Sequence, residues 1–163
     1  MEGKLENFMK ECERWRNQGR AHIFLIQEHN IDPKREGDVR DLASNYKFHI
    51  SIHFAKLGKD GVHRGGTLTL IDSKVAELRN EDKLDDGGGA LVTSIDWAGN
   101  KIDILNVYAP AKPGLRIDFF RDIRNKLHKN MIAMGDWNCV PNVLLDVQSQ
   151  NPMNYANTGA ALL

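Results

Sequence analysis

The sequence predicts an α/β fold in which sheets pack face to face with helices outside. Three observations carry that expectation. The elements run helix, strand, several antiparallel-looking strands, helix, strand. The middle of the chain alternates apolar and polar residues with period two, the mark of strands. The helical stretches near the two ends each carry their apolar residues on one face, ready to lie on a sheet.

The first 20 residues read as an amphipathic helix. Leu5, Phe8, Met9, Cys12 and Trp15 share one face, and Gly19 is a natural stop. Packing on the domain's own sheet is the expected use of that stripe, and a partner-binding face is the alternative. His22 to Gln27 (HIFLIQ) is a nearly continuous apolar run, the pattern of a buried strand covered on both faces. A polar stretch with Pro33 and Gly37 leads to a short helix around Val39 to Asn45. From Lys47 the period changes. Phe48, Ile50, Ile52 and Phe54 alternate with His49, Ser51 and His53, which predicts a half-buried strand.

Gly58 to Gly61 (GKDG) is a hairpin-type turn and Thr67 to Ile71 another strand. Ala76 to Arg79 reads as a further short strand, and Gly87-Gly88-Gly89 as a flexible loop. Leu91 to Trp97 and Ile102 to Tyr108 form a hairpin joined by Ala98-Gly99-Asn100. Pro110, Pro113 and Gly114 turn the chain into a second helix with Leu115, Phe119, Phe120, Ile123 and Leu127 on its apolar face. Met131 to Met134 (MIAM) is a last short strand running into Gly135-Asp136-Trp137-Asn138. After Asn142 the chain is polar and turn-rich.

A length of 163 residues fits one ordinary domain. With 41% hydrophobic and 27% charged residues the composition is that of a soluble globular protein. Lys plus Arg and Asp plus Glu number 22 each, so the net charge is zero, which excludes a strongly basic nucleic-acid-coating protein. A protein that cuts nucleic acid needs only a locally basic surface around an acidic metal site, so that class survives. No apolar run approaches the roughly 20 residues that span a bilayer, and no signal peptide follows Met1. Cys12 and Cys139 make no disulfide framework, so a reducing compartment is expected, nuclear or cytoplasmic, with no membrane and no obligate protein partner.

Three strand ends carry polar residues of chemical use. Glu28 follows HIFLIQ at the carboxyl end of a strand, where α/β proteins place ligands; it equally suits the start of a solvated loop. Asp136 and Asn138, two apart after MIAMG, point the same way on an extended segment. Facing a glutamate they would suit a hard cation such as Mg²⁺, and Gly, Asp and Asn are also the common turn residues. Tyr108, in Asn106-Val107-Tyr108-Ala109-Pro110, either presents its hydroxyl to a phosphate or buries its ring.

Other constellations lead nowhere. His49 and His53 lie about 13 Å apart along a strand and read as a solvated face. Gly87-Gly88-Gly89 lacks the Lys-Ser/Thr of a phosphate-binding loop, Cys139 reads as a small core residue, and no nucleophile elbow supports serine catalysis.

As a set, HIFLIQE, NVYAP, the helix Leu115-Arg116-Ile117-Asp118-Phe119-Phe120 and MIAMGDWN resemble the endonuclease/exonuclease/phosphatase superfamily, over Ile23 to about Asn142. The run Ala90 to Phe120 and GDWNCVPN are most similar to the endonuclease domains of non-LTR retrotransposons. The resemblance implies an α/β sandwich of two mixed sheets with helices outside, and Mg²⁺-dependent (or Mn²⁺-dependent) hydrolysis of DNA phosphodiesters. It implies Glu28 as the metal ligand, Asp136 as the residue that orients or deprotonates the attacking water, and Asn138 as the holder of the site and the scissile phosphate. Tyr108 matches the tyrosine that contacts that phosphate, and Arg116 lies near the family's arginine on the DNA-facing side. Two family marks are not matched: an N-x-N-G-like first strand and a closing S-D-H, whose histidine stabilises the transition state. The chain therefore reads as one partial domain, incomplete at both ends, with impaired activity expected. The alternative is a catalytically dead remnant that binds nucleic acid or protein weakly.

Overall fold

The computed structural model describes residues 2–139. Helix α1 (Glu2–Asn17) leads into strand β1 (Ile23–Gln27). A 3-10 turn (Pro33–Arg35) and helix α2 (Glu36–Asn45) precede strands β2 (Phe48–His53) and β3 (Thr67–Asp72). Strands β4 (Ala76–Lys83), β5 (Ala90–Trp97) and β6 (Asn100–Tyr108) form a meander. Helix α3 (Pro113–Arg124) and strand β7 (Met131–Asp136) follow. The end of the family resemblance, Val140 to Asn142, and the polar tail beyond it lie outside the described residues.

The strands build two sheets, ordered β1-β3-β2 and β4-β5-β6-β7. The first is antiparallel throughout. The second is mixed, because β7 runs parallel to β6 after the crossover through α3 that a parallel pair requires. Three apolar layers result. Met9, Cys12, Val39 and Ala43 of α1 and α2 cover Phe24, Phe48, Ile50 and Leu70 on the outside of the three-stranded sheet. Phe119, Phe120 and Ile123 of α3 cover Val92, Leu105 and Val107 on the outside of the other. Between the sheets lie Ile71, Ala76, Ile95 and Ile104. This is the predicted α/β sandwich with helices outside.

Coverage on both faces changes what several polar residues do. β2 was expected to be half-buried, yet Ser51 and His53 are buried too, because they face the second sheet. Ser51 donates from Oγ to Glu81 at 3.1 Å. His53 Nδ1 lies 3.3 Å from the Ala90 carbonyl oxygen and 3.5 Å from Asp85, so it is not on a solvated face. On α1 the buried stripe is Met9, Cys12 and Arg16, while Phe8 and Trp15 are 36% and 43% exposed. Arg16 donates to the Tyr46 carbonyl at 2.7 Å, at the end of α2, with its guanidinium over the Phe48 ring. On α3, Leu115 faces solvent and Arg116 is buried in its place.

The Gly87-Gly88-Gly89 loop is organised by Asp85, whose carboxylate accepts from the N–H groups of Gly87 at 2.7 Å, Gly89 at 3.0 Å and Ala90 at 2.7 Å. β4 is longer than expected and irregular between Leu78 and Asn80, and its charged, exposed residues suit an edge strand. On β7, Ile132 and Met134 share the inter-sheet face with their register partners Ile104 and Asn106, yet they are 48% and 47% exposed. Among the described residues no helix is long and apolar enough to cross a membrane.

Candidate active site

The carboxyl ends of β1, β6 and β7 meet at one edge of the sandwich. Glu28 is the first residue past β1 and adopts a left-handed backbone, φ 56°. Four hydrogen bonds hold that turn. The Glu28 N–H donates to the Gly66 carbonyl at 2.9 Å and the Asn30 N–H to the Gly65 carbonyl at 3.0 Å. The Asn30 side chain answers in both directions, accepting from the Gly65 N–H at 2.7 Å and donating to the Glu28 carbonyl at 2.9 Å. His29 adds a wedge. Its Nδ1 accepts from the Ile31 N–H at 3.0 Å, so Nε2 carries the proton and donates to the His53 carbonyl at 3.2 Å. Burial lowers the His29 pKa, in keeping with a neutral ring. That ring occupies the space a Cβ would need at Gly66, whose φ of 87° also favours glycine. The Glu28 carboxylate is thus exposed on a stiff support.

Tyr108 ends β6. Its N–H donates to the Gly89 carbonyl at 2.7 Å, and its ring lies against Gly65, 3.3 Å from where a Cβ would stand. Burial raises the Tyr108 pKa, and the nearby carboxylates of Glu28 and Asp136 raise it further. The hydroxyl therefore stays protonated and sits under the influence of carboxylates from both sheets.

Asp136 is the register partner of Tyr108 on β7. Its carbonyl accepts from the Ala109 N–H at 2.8 Å, and its Oδ1 accepts from the Asn138 N–H at 3.0 Å. Asn138, at φ 48°, donates from Nδ2 to the Ala109 carbonyl at 2.7 Å. Trp137 packs against Phe120 in a tilted arrangement, with ring centroids 6.1 Å apart. The segment is a turn, and that turn ties Asp136 and Asn138 to the Tyr108-Ala109 strand end.

The sequence-predicted residues Glu28, Tyr108, Asp136 and Asn138 come together. Arg116 does not join their exposed surface. It is 4% exposed and donates to the carbonyls of Ala111 at 3.1 Å and Pro110 at 3.4 Å, bracing the strap after Tyr108. His29 and the Gly65-Gly66 pair are also part of this corner, and the only sign of them in the sequence is two adjacent glycines ahead of a strand. A cavity of about 820 Å³ opens beside Glu28, floored by Phe8, Ile26, Ile31 and Leu68.

Among the described residues no three His, Cys, Asp or Glu side chains cluster closely enough to hold a metal ion by themselves. Two exposed carboxylates near a phenol hydroxyl are nonetheless oxygen donors only. Such a set fits a hard cation that keeps several of its waters and leans on one or two carboxylates.

No family model and no curated protein matches the sequence. Solved structures do match. An AP endonuclease from Archaeoglobus fulgidus superposes with a TM-score of 0.65 at 16% identity, over 92% of this chain and 59% of that one. A D. rerio TDP2 carrying 14 humanising mutations gives 0.59 at 12% identity, over 85% of this chain and 62% of that one. The human Nocturnin catalytic domain with bound sulfate gives 0.55 at 12% identity, over 93% and 68%. The chain thus spans about three fifths of the AP endonuclease. With its two packed sheets, its outer helices and these neighbours, the chain has the fold of the endonuclease/exonuclease/phosphatase superfamily.

Proposed function

We propose that this site hydrolyses phosphodiester bonds of DNA with the help of a divalent cation, Mg²⁺ or Mn²⁺. One observation supports the reading above the others: Glu28, directly after β1 of one sheet, and Asp136, the register partner of Tyr108 on β7 of the other, bring two carboxylates to the Tyr108 end of β6. In this reading Glu28 holds the cation, which when bound neutralises charge building on the phosphate. Asp136 takes the proton of the attacking water on the oxygen not engaged by the Asn138 N–H. Asn138, pinned through one amide hydrogen to Ala109, keeps its other amide hydrogen for the phosphate. Tyr108, held protonated, donates a hydrogen bond to a phosphate oxygen as charge develops there. Arg116 acts through the Pro110-Ala111 strap. DNA as substrate draws support from the D. rerio TDP2 solved with a single-strand DNA product. The Tyr-Ala-Pro and Gly-Asp-Trp-Asn-Cys-Val segments favour the retrotransposon type, in which a nick supplies a primer end for reverse transcription.

The test is nicking of supercoiled plasmid at enzyme excess. Slow nicking that requires Mg²⁺ or Mn²⁺ and is lost in both Glu28→Gln and Asp136→Ala is the expected result. A second reading, a catalytically dead module that binds nucleic acid or protein, is favoured by the lack of a metal-holding cluster among the described residues. No nicking at enzyme excess, or nicking that survives Asp136→Ala, would overturn the first reading in favour of the second.

A further inference from the structure

Asn106 lies fully buried between the sheets, where an amide is expensive unless its atoms are paired. They are paired, and all to the opposite sheet. Nδ2 donates to the carbonyls of Leu68 at 3.0 Å and Ile26 at 3.2 Å. Carbonyls only accept, so these two bonds fix which way the amide is turned and leave Oδ1 facing Gln27. Gln27 must then donate, and its Nε2 does so at 2.6 Å. One side chain of β6 therefore grips both β1 and β3. The apolar inter-sheet cluster ends at Ile104, one inward-facing position before Asn106, so at the site edge the grip is polar. The sequence places Gln27 directly before Glu28, and Asn106 two residues before Tyr108, whose register partner is Asp136.

We propose that Gln27 and Asn106 are positioning residues: their clamp sets the spacing between Glu28 on one sheet and Tyr108 with Asp136 on the other. A hydrogen-bonded amide pair suits this task better than an apolar contact. Its geometry is directional, and slippage of either sheet leaves a buried polar atom unpaired. The functional meaning of that spacing rests on the phosphodiesterase reading; the spacing itself does not.

The experiment compares the full chain with Gln27→Met, which keeps the length of the side chain and removes the donor. Gln27→Glu serves as a second variant without a donor, and Ile123→Ala as a control that destabilises the remote α3 layer. Two readouts are taken. The first needs no metal: NMR cross-relaxation between the Gly65 Hα protons and the Tyr108 ring reports the inter-sheet distance at the site. The second is Tb³⁺ titration, followed by luminescence sensitised through Tyr108 and Trp137. In both Gln27 variants the cross-peak is expected to weaken several-fold and the Tb³⁺ dissociation constant to rise about tenfold, with Ile123→Ala leaving both unchanged. A Gln27 variant that melts earlier but keeps the wild-type cross-peak would overturn the clamp as a positioning device. A wild-type chain that binds no Tb³⁺ would instead overturn the cation reading of Glu28, and the cross-peak alone would still decide the clamp.

Discussion

The two corners that bring carboxylates to the site are built differently. The Glu28 corner is locked from several directions by Gly65, Gly66, Asn30 and His29, and it rests on a sheet whose outer face is covered by two helices. Among the described residues, the strand of the Asp136 corner pairs with β6 only, and Trp137 packs on Phe120 of α3. Ile132 and Met134 of its inter-sheet face are about half exposed, and two hydrogen bonds to Ala109 tie down its end. The stiffer corner carries the proposed metal ligand, and the looser one carries the group proposed to handle water. Positional precision in this molecule is therefore limited by β7.

The largest test of that contrast uses one glycine from each corner. At Gly135, φ 144°, a Cβ would run into the backbone of Val107, including its nitrogen at 2.7 Å. Backbone in a paired strand has nowhere to go, so Gly135→Ala should remove about 3 kcal/mol or more in urea unfolding and release β7 from β6. At Gly66 the obstacle is the His29 ring, a side chain that can swing away. Gly66→Ala should lose about 2 kcal/mol, most of it from the unfavourable φ and the lost His29 bond. Equal losses would mean that β7 is held by more than β6.

Next in size is the exposed face itself. Ile104 and Ile132 are register partners on the same face, but only Ile104 is buried, at 3% exposure. Ile104→Ala should cost about 2–4 kcal/mol, whereas Ile132→Lys should stay within about 0.5 kcal/mol. A strand edge unpaired among the described residues, beside exposed apolar residues, also invites association. Sedimentation of the double variant Ile132→Lys, Met134→Lys should show less self-association than the parent chain. Unchanged sedimentation would leave the β7 face without a role in assembly.

Acid should reverse the ranking of the corners. Burial lowers the pKa values of His29 and His53 from 6.5, the value expected in the unfolded chain. The unfolded state then binds more protons in the window just below pH 6.5, so stability is complete above that window and is lost as pH falls through it. The His29 ring is part of the Glu28 turn, and the His53 ring, bonded at Ala90, lies on the strand whose carbonyl His29 uses. Hydrogen-exchange protection of the Glu28, Asn30 and Ile31 amides should drop between pH 7.5 and pH 5 relative to the β6 amides. Equal protection at the two pH values would remove the histidines from the account of that corner.

Much of the molecule is legible in its sequence. Period-two runs mark the strands, and Pro113 and the glycines mark the turns. Glu28 and Asp136 stand out because each follows an apolar strand. What could not be read is which polar residues are buried. Alternation in Phe48-His49-Ile50-Ser51 implies one wet face only if that sheet has one, and here both faces are covered. Arg16, His53 and Asn106 are buried by partners far away in the chain. Gln27 and Asn106 are 79 residues apart, beyond any local pattern.

The smallest effect is the sharpest check on this buried polar seam, because it sets two neighbouring hydroxyls against each other. Ser51 and Thr69 are register partners on β2 and β3, both fully buried on the face toward the second sheet. Ser51 donates to Glu81, whereas the Thr69 hydroxyl has no partner among the described residues. A buried hydroxyl without a partner destabilises, and valine has nearly the shape of threonine without that oxygen. Thr69→Val should therefore raise stability in urea unfolding by about 0.5–1 kcal/mol. Ser51→Ala should lower it by about 1 kcal/mol, since it removes one donor from the Glu81 carboxylate. A loss in Thr69→Val would mean that an ordered water bridges the hydroxyl to the opposite sheet. The seam would then be hydrated, and the clamp at Asn106 would be one of several polar links between the sheets.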